Sequence, residues 1–143
     1  MIEKNREQQL RQAIELFFFS YRAFTHGPDE ILARRGLGRV HHRILYFVGQ
    51  QPELAVNELL QILQISKQAL NPPLRQLLSM KLVKNEQSKA DRRIRELSLT
   101  ASGKRLEARL TGTQLIQLEN VFKDQGKKAE RAWKLIMQQL SDE

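Results

Sequence analysis

The side chains in this sequence that are best suited to chemistry are cationic and lie near position 90. Residues 91 to 95 are Asp-Arg-Arg-Ile-Arg, and a lysine precedes them at position 89. Guanidinium groups form paired, charge-assisted hydrogen bonds with phosphate oxygens. This segment therefore has the composition of a phosphate-binding surface. Its candidate binding residues are Lys89, Arg92, Arg93 and Arg95.

A second group of polar side chains precedes this segment. Asparagine and glutamine amides match the hydrogen-bonding edge of adenine in a major groove, and lysine can pair with guanine or with phosphate. The residue farthest along this group, Arg75, is better placed for a phosphate. The candidate contact residues here are Ser66, Lys67, Gln68, Asn71 and Arg75.

The positive charge is concentrated in the middle of the chain. Residues 34 to 109 contain 15 Lys or Arg against 6 Asp or Glu, whereas the two flanks together contain 9 against 10. The whole net charge of +8 therefore belongs to the central segment. This asymmetry suits a central region that faces phosphates and flanks that pack as helices. Taken alone, the charge is also compatible with a solvated basic face.

The sequence offers few groups for catalysis or metal binding. It contains no cysteine, and its three histidines are His26, His41 and His42. Adjacent residues of a helix point about 100° apart, so His41 and His42 do not form a ligand pair on one face. A metal site that joins one histidine to other helices remains an alternative. No glycine-rich phosphate loop is present. We expect no enzymatic activity, no metal and no cofactor.

Length and composition indicate one folded unit over residues 1–143. Hydrophobic residues make up 41% of the chain and charged residues 28%, as is usual for globular proteins. The N-terminal segment is charged and lacks the apolar run of a signal peptide, and no segment approaches membrane-spanning length. We therefore expect a cytoplasmic protein without a membrane partner.

The first predicted element is an amphipathic helix over residues 7 to 25. Its apolar residues recur at steps of three and four, and they include the run Phe17-Phe18-Phe19. Aromatic residues at helical spacing are typical of a core or a subunit interface. Gly27 and Pro28 are predicted to end this helix, with Asp29 at the start of the next turn.

The central segment is predicted to form a helix-turn-helix followed by a β-hairpin. After a helix over Arg39 to Gln50, the pattern predicts a short strand at 54–56 and a short helix at 57–64. Ser66 is suited to cap the next helix, which runs to Met80. Strands at 82–86 and 93–99, joined by a polar turn, complete the hairpin. The residues of the capped helix that can point outward are Lys67, Gln68, Asn71, Arg75 and Gln76.

Two consecutive prolines disturb this capped helix. In a regular helix that starts after Ser66, Pro72 and Pro73 would remove the hydrogen bonds to two carbonyl groups, at about 3 kcal/mol or more for each proline. One solution is a kinked helix, which we favour. The other is a new helix that starts with Asn71 as its N-cap and the prolines in its first turn. The second solution would move Lys67 and Gln68 away from a groove.

The C-terminal third is predicted to form two helices. Thr100 or Ser102 caps the first, which continues past Gly112, and Gly126 separates it from a final helix over Lys127 to Leu140. The first helix and the last two helices together carry more apolar surface than one small winged domain can cover. We therefore expect them to pack against a second copy of the chain.

Several short segments carry a family resemblance when they are taken in order. They are Ser-Lys-Gln-Ala-Leu at 66–70, Leu-Arg-Gln-Leu at 74–77, Lys-Leu-Val at 81–83, Asp-Arg-Arg at 91–93 and Leu-Ser-Leu-Thr-Ala-Ser-Gly at 97–103. With the order of elements, these segments resemble the MarR family of bacterial transcriptional regulators. The resemblance extends over about residues 40 to 110, and the proline pair is its main departure.

The resemblance implies a mainly α fold with a small β-hairpin wing, in which a winged helix-turn-helix carries terminal dimerisation helices. It implies dimerisation helices at 1–38 and 104–143 and a DNA-binding lobe at 39–103. The implied partners are double-stranded DNA with a pseudo-palindromic operator, a second copy of the chain and, in many relatives, a small-molecule effector. The sequence does not indicate which residues would bind such an effector.

For Asp91 the resemblance implies a structural role, since a carboxylate is an awkward neighbour for phosphate. It would hold an arginine of the wing or of the recognition helix in place. The alternative is an ordinary polar turn residue. For the whole chain, the alternative to a regulator, whether repressor or activator, is a helical interaction protein whose winged domain binds a protein partner or binds DNA without sequence preference.

Overall fold

The computed structural model describes residues 1–143 and contains six helices and one small sheet. The predicted fold class is confirmed: the chain is mainly helical and carries a hairpin wing after a helix-turn-helix. No helix is both long and apolar enough to cross a membrane. In chain order the elements are α1 (Lys4–Ala33), α2 (Arg39–Gln50), β1 (Leu54–Ala55), α3 (Val56–Leu63), α4 (Lys67–Ser79), β2 (Val83–Gln87), β3 (Arg95–Leu99), α5 (Ala101–Gln125) and α6 (Lys127–Ser141).

Helix α1 does not end where the sequence pattern predicts. It continues through Gly27 and Pro28 to Ala33, so the expected stop at residues 26–29 is wrong. Pro28 is buried, and α1 packs against α5. Because proline has no N–H, the carbonyl group of Phe24 lacks its usual helical donor. The side chain of Gln114 on α5 donates a hydrogen bond of 3.4 Å to that carbonyl oxygen. Tertiary packing thus replaces the local bond.

The core lies beneath the helix-turn-helix and the sheet. It is a cluster of 16 buried apolar residues from the end of α1, from α2 to α4, from the sheet and from the start of α5. The strand order is β1-β3-β2, with antiparallel pairing throughout. Register pairs run from Val83 opposite Leu99 to Gln87 opposite Arg95. The hairpin therefore starts and ends within two residues of its predicted positions.

The base of the hairpin is joined tightly to the start of α5. The backbone N–H of Thr100 donates to the carbonyl oxygen of Leu82 at 3.1 Å. The Thr100 hydroxyl accepts from the N–H of Gly103 at 3.0 Å, so Thr100 rather than Ser102 is the N-cap. A Cβ atom at Gly103 would lie 1.9 Å from the Leu82 carbonyl oxygen. Only glycine allows this close approach, which sets the position of the wing relative to α5.

The terminal helices leave much apolar surface uncovered within one chain. Phe18 is 70% exposed and Phe19 51%, and on α6 Leu135 is 71% and Ile136 64% exposed. No residue of α6 is buried. The aromatic run on α1 is therefore not part of the core of a single chain.

Helices α5 and α6 are separate at Gly126, and α5 passes through Gly112 without interruption, as the sequence predicts.

Candidate nucleic-acid interface

Helix α4 is continuous across its proline pair. Ser66 precedes it as the N-cap, and its hydroxyl oxygen accepts a hydrogen bond of 3.1 Å from the N–H of Ala69. The alternative in which a new helix starts at Asn71 is therefore wrong. Buried Leu70, Leu74 and Leu77 anchor one side of α4 in the core on both sides of the prolines. Burial of these leucines offsets the cost of the missing backbone hydrogen bonds.

The exposed side of α4 has a regular pattern that we call the outward face. It consists of Gln68, Pro72, Arg75 and Ser79, which recur at steps of four, three and four residues and are all exposed. Lys67 at the first turn is also exposed, whereas Asn71 is half-buried beside the core edge. Of the residues expected to contact bases, Gln68 and Lys67 are thus the more accessible.

Gln76 was expected among the outward-pointing side chains, but its amide is engaged within the protein. Its Nε2 donates to the carbonyl oxygen of Gly36 at 3.1 Å, and its Oε1 lies 2.9 Å from Nε2 of His41. These bonds join α4 to the turn between α1 and α2. Gln76 is exposed, as the sequence pattern predicts, but its amide group also has hydrogen-bond partners within the protein. These partners lie on segments that are distant in sequence, so the pattern did not indicate them.

His41 completes this hydrogen-bond chain. It is 9% exposed, and its Nδ1 accepts from the backbone N–H of Gly38 at 2.9 Å. Because Nδ1 is the acceptor, the proton of the neutral ring lies on Nε2 and is donated to Gln76. His41 lies three residues after the N-cap Gly38, so its side chain satisfies the N-cap backbone N–H as the third helical residue of a capping box does. Gly38 has no side chain to form the reciprocal bond.

The turn of the wing is ordered by Asp91 and Ser88. Asp91 accepts from Nε and Nη2 of Arg93, both at 3.1 Å, and from the Arg93 backbone N–H at 3.0 Å. These hydrogen bonds, first of all those from the guanidinium, lower the pKa of Asp91 below its usual value. The buried Ser88 hydroxyl oxygen accepts from the N–H groups of Ala90 and Asp91. The turn therefore presents a defined shape.

The cations of the wing are exposed. The side chain of Arg93 is 89% exposed although it is paired with Asp91. Lys89, Arg92 and Arg95 are also exposed, and none has a carboxylate within ion-pair distance. Three unpaired positive charges and one paired charge thus surround the end of the hairpin. Such an arrangement attracts a polyanion.

A cavity of about 350 Å³ lies between α1, α2 and α5, outside the helix-turn-helix. At its edge Nη2 and Nε of Arg39 donate to Oδ2 of Asp29 at 2.9 and 3.1 Å. The Arg39 guanidinium carbon lies 5.5 Å from the ring centroid of Tyr21, and Arg43 donates to the Tyr21 hydroxyl at 2.8 Å. No local sequence pattern indicates this site, because its residues come from three helices.

The cavity also contains a half-buried histidine, His42. Partial burial lowers its pKa below the usual value, against the opposing influence of the Glu107 carboxylate. Its Nε2 lies 3.2 Å from the hydroxyl oxygen of Thr111, and that hydroxyl donates to Glu107. The neutral ring therefore donates to Thr111, and the cavity combines apolar walls with a few fixed polar groups. Small-molecule sites commonly have this composition.

Comparisons with known proteins agree with the geometry. The chain is 36% identical over 136 residues to the HTH-type transcriptional regulator PetP of Rhodobacter capsulatus, and the match covers 95% of this chain and 82% of that protein. The model of the MarR family matches residues 35–94.

Two solved structures are similar in fold. One is Sco3205, a MarR family transcriptional regulator from Streptomyces coelicolor in complex with DNA, at 18% identity and a TM-score of 0.74, with coverage of 99% of this chain and 89% of that chain. The other is the MepR–DNA complex of S. aureus, at 22% identity and a TM-score of 0.67, with coverage of 90% and 96%. From the sequence match and the family model together, we conclude that the chain belongs to the MarR family of HTH-type transcriptional regulators.

Proposed function

We propose that this protein is a homodimeric transcription factor that binds a pseudo-palindromic DNA operator in the cytoplasm. The observation that carries the proposal is the combination of a Ser66-capped helix and an exposed cationic wing. Of the wing cations, Arg93 is paired with Asp91, whereas Lys89, Arg92 and Arg95 have no carboxylate within ion-pair distance. A helix can enter the major groove, while arginines of a wing contact phosphates or a narrow minor groove. The lobe at 39–103 would supply both the helix for the major groove and the arginines of the wing.

We assign the DNA contacts to two sets of residues. Lys67 and Gln68, with the less accessible Asn71, contact base edges at the start of α4, where Ser66 fixes the first turn, and Arg75 contacts a phosphate. At the wing, Asp91 holds Arg93 in a fixed orientation. The wing residues that contact the backbone or the minor groove are Lys89, Arg92, Arg93 and Arg95.

Dimerisation through residues 1–38 and 104–143 would cover the apolar surface of the terminal helices. A groove of about 500 Å³ between α1, α5 and α6 is lined by Phe17, Phe122 and Trp133, among other apolar residues. The ring centroids of Phe122 and Trp133 lie 5.4 Å apart, which joins α5 to α6. Exposed apolar surface of this extent is typical of a subunit interface. A dimer also matches the two-fold symmetry of a palindromic operator.

A small molecule could release the protein from DNA by binding in the cavity at Asp29 and Arg39. This ion pair joins the end of α1 to the start of α2. A ligand that competes for Arg39 would loosen that connection and change how the lobe is held relative to the terminal helices. Such a ligand shifts the DNA affinity only if it binds the two arrangements with different affinities.

Selection of bound fragments from the source genome with the purified protein tests the proposed function. A specific regulator should prefer the recovered fragments over random DNA by about a thousandfold or more. Equal affinity for recovered and random DNA would instead favour an interaction protein with a non-specific basic patch. Light scattering coupled to size-exclusion chromatography tests the dimer in parallel, and a strict monomer at micromolar concentration would contradict it.

A further inference from the structure

The two prolines of α4 lie in different surroundings. Pro72 is exposed on the outward face, and Pro73 is half-buried. We propose that Pro72 is a specificity-determining residue whose ring contacts the methyl group of a thymine in the major groove. This inference rests on the proposed recognition of a specific operator, and it assigns a role in base recognition to a residue whose side chain has no hydrogen-bonding group.

The placement of Pro72 follows from the pattern of burial along α4. Gln68, Pro72 and Arg75 lie on successive turns of the outward face, opposite the buried leucines. Once Gln68 reaches a base edge and Arg75 reaches a phosphate, the Pro72 ring lies between these two contacts. A side chain in that position faces the floor or the wall of the groove.

The chemistry of the ring limits what it can recognise. Proline presents only methylene groups, and it lacks a backbone N–H. In the major groove, adenine, guanine and cytosine present hydrogen-bond donors or acceptors, and thymine alone adds a methyl group. An apolar ring placed against the other base edges would remove water from polar groups without replacing their hydrogen bonds. Pro72 therefore favours thymine.

The ring is also held rigidly, which favours a precise contact. Proline has almost no side-chain freedom to lose on binding. Leu70 and Leu74, which flank Pro72 along α4, are buried in the core. From Gln68 to Pro72 the helix rises by about 6 Å, less than two base-pair steps of about 3.4 Å. We therefore expect the thymine within about two base pairs of the base that Gln68 contacts.

Methyl removal from DNA tests the contact directly. Each thymine of a recovered operator is replaced singly by uracil, which lacks the methyl group and keeps the same pairing edge. We expect the parent protein to lose affinity by about fourfold at one position in each half-site, the size expected for one buried methyl group. The Pro72→Ser variant should bind the thymine and uracil versions of that position equally. Pro73→Ser is the matched control and should keep the fourfold difference.

Three results would overturn the inference. The first is a uracil scan of the parent protein without any sensitive thymine, a measurement that needs no variant to fold. The second is an unchanged penalty in Pro72→Ser. The third is loss of the penalty in Pro73→Ser as well, which would assign the effect to helix geometry rather than to the exposed ring. Failure of the proposed function would look different, because random DNA would then bind as tightly as the recovered fragments.

Discussion

The imidazole of His41 and the amide of Gln76 lie 2.9 Å apart, between Nε2 and Oε1, and this contact joins α2 to the helix expected to enter DNA. Gln76 also bonds the carbonyl oxygen of Gly36, and His41 bonds the N–H of Gly38. One glutamine therefore ties α4 to both sides of the turn between α1 and α2. The orientation of the recognition helix depends on a contact outside the helix-turn-helix itself.

Gln76→Leu is expected to destabilise the protein by roughly 1–2 kcal/mol, because the buried His41 ring and the Gly36 carbonyl each lose a partner. The measurement is urea denaturation at fixed protein concentration, with a lower midpoint and an unchanged slope. Gln68→Leu makes the same chemical change on the exposed face of the same helix, and should leave the midpoint nearly unchanged. Equal effects of the two variants would contradict the role of Gln76.

Arg92→Ala and Arg95→Ala are each expected to weaken binding to every DNA sequence. Each lost phosphate contact should lower the slope of log affinity against log salt concentration by up to about one unit. Lys127→Ala, on α6 outside the lobe, is the matched control and should leave the slope unchanged. Gln68→Ala should mainly reduce the preference for operator over random DNA. Parent-like slopes for both arginine variants would argue against the wing as a DNA contact.

Asp91 is expected to titrate below the usual range for aspartate, because Arg93 stabilises its charged form. Its folded-state pKa is depressed, so its stabilising contribution is present above the unfolded-state pKa and is lost as the pH falls through the folded-state pKa. An NMR titration of the side-chain carboxyl carbon of Asp91 measures the folded-state pKa. In Arg93→Ala the pKa should rise towards the ordinary value, and an unchanged pKa would show that the guanidinium is not its cause.

His42 is expected to make the protein less stable as the pH falls. Partial burial lowers its folded-state pKa, so the unfolded chain binds the proton first. Stability is therefore complete above the unfolded-state pKa and decreases as the pH falls through it towards the folded-state pKa. In His42→Gln the free energy of unfolding should fall less than in the parent between about pH 7.5 and about pH 5.5, the range in which histidine titrates. An unchanged loss of stability in His42→Gln would contradict this role.

Phe18→Glu is expected to weaken the proposed dimer, because a 70% exposed aromatic side chain on α1 is a candidate for the subunit interface. A charge buried in such an interface without a partner is strongly unfavourable. Light scattering should show a monomer at concentrations where the parent is dimeric. Gln12→Glu is the control, since it adds the same charge at another position of α1. Dimers as stable as those of the parent in both variants would place the interface away from Phe18.

The sequence by itself determined the features that depend on neighbours along the chain. Ser66 is a cap because its hydroxyl oxygen reaches an N–H three residues later. For α5 the sequence narrowed the N-cap to Thr100 or Ser102, and the structure selects Thr100. The leucine spacing of α4 determined which of its faces is buried. These signals predicted the fold class and the order of the elements, and the positions of the exposed wing cations followed from them.

Only the tertiary structure decided the outcome where a distant residue supplies the missing partner. Pro28 does not end α1, since Gln114, 90 positions from Phe24, bonds the carbonyl that the proline leaves free. The amide of the exposed Gln76 is bonded to His41, 35 positions away. The cavity at Asp29 and Arg39 likewise joins three helices. Local pattern predicts what a segment prefers, whereas packing energy and hydrogen-bond partners from other segments select what it adopts.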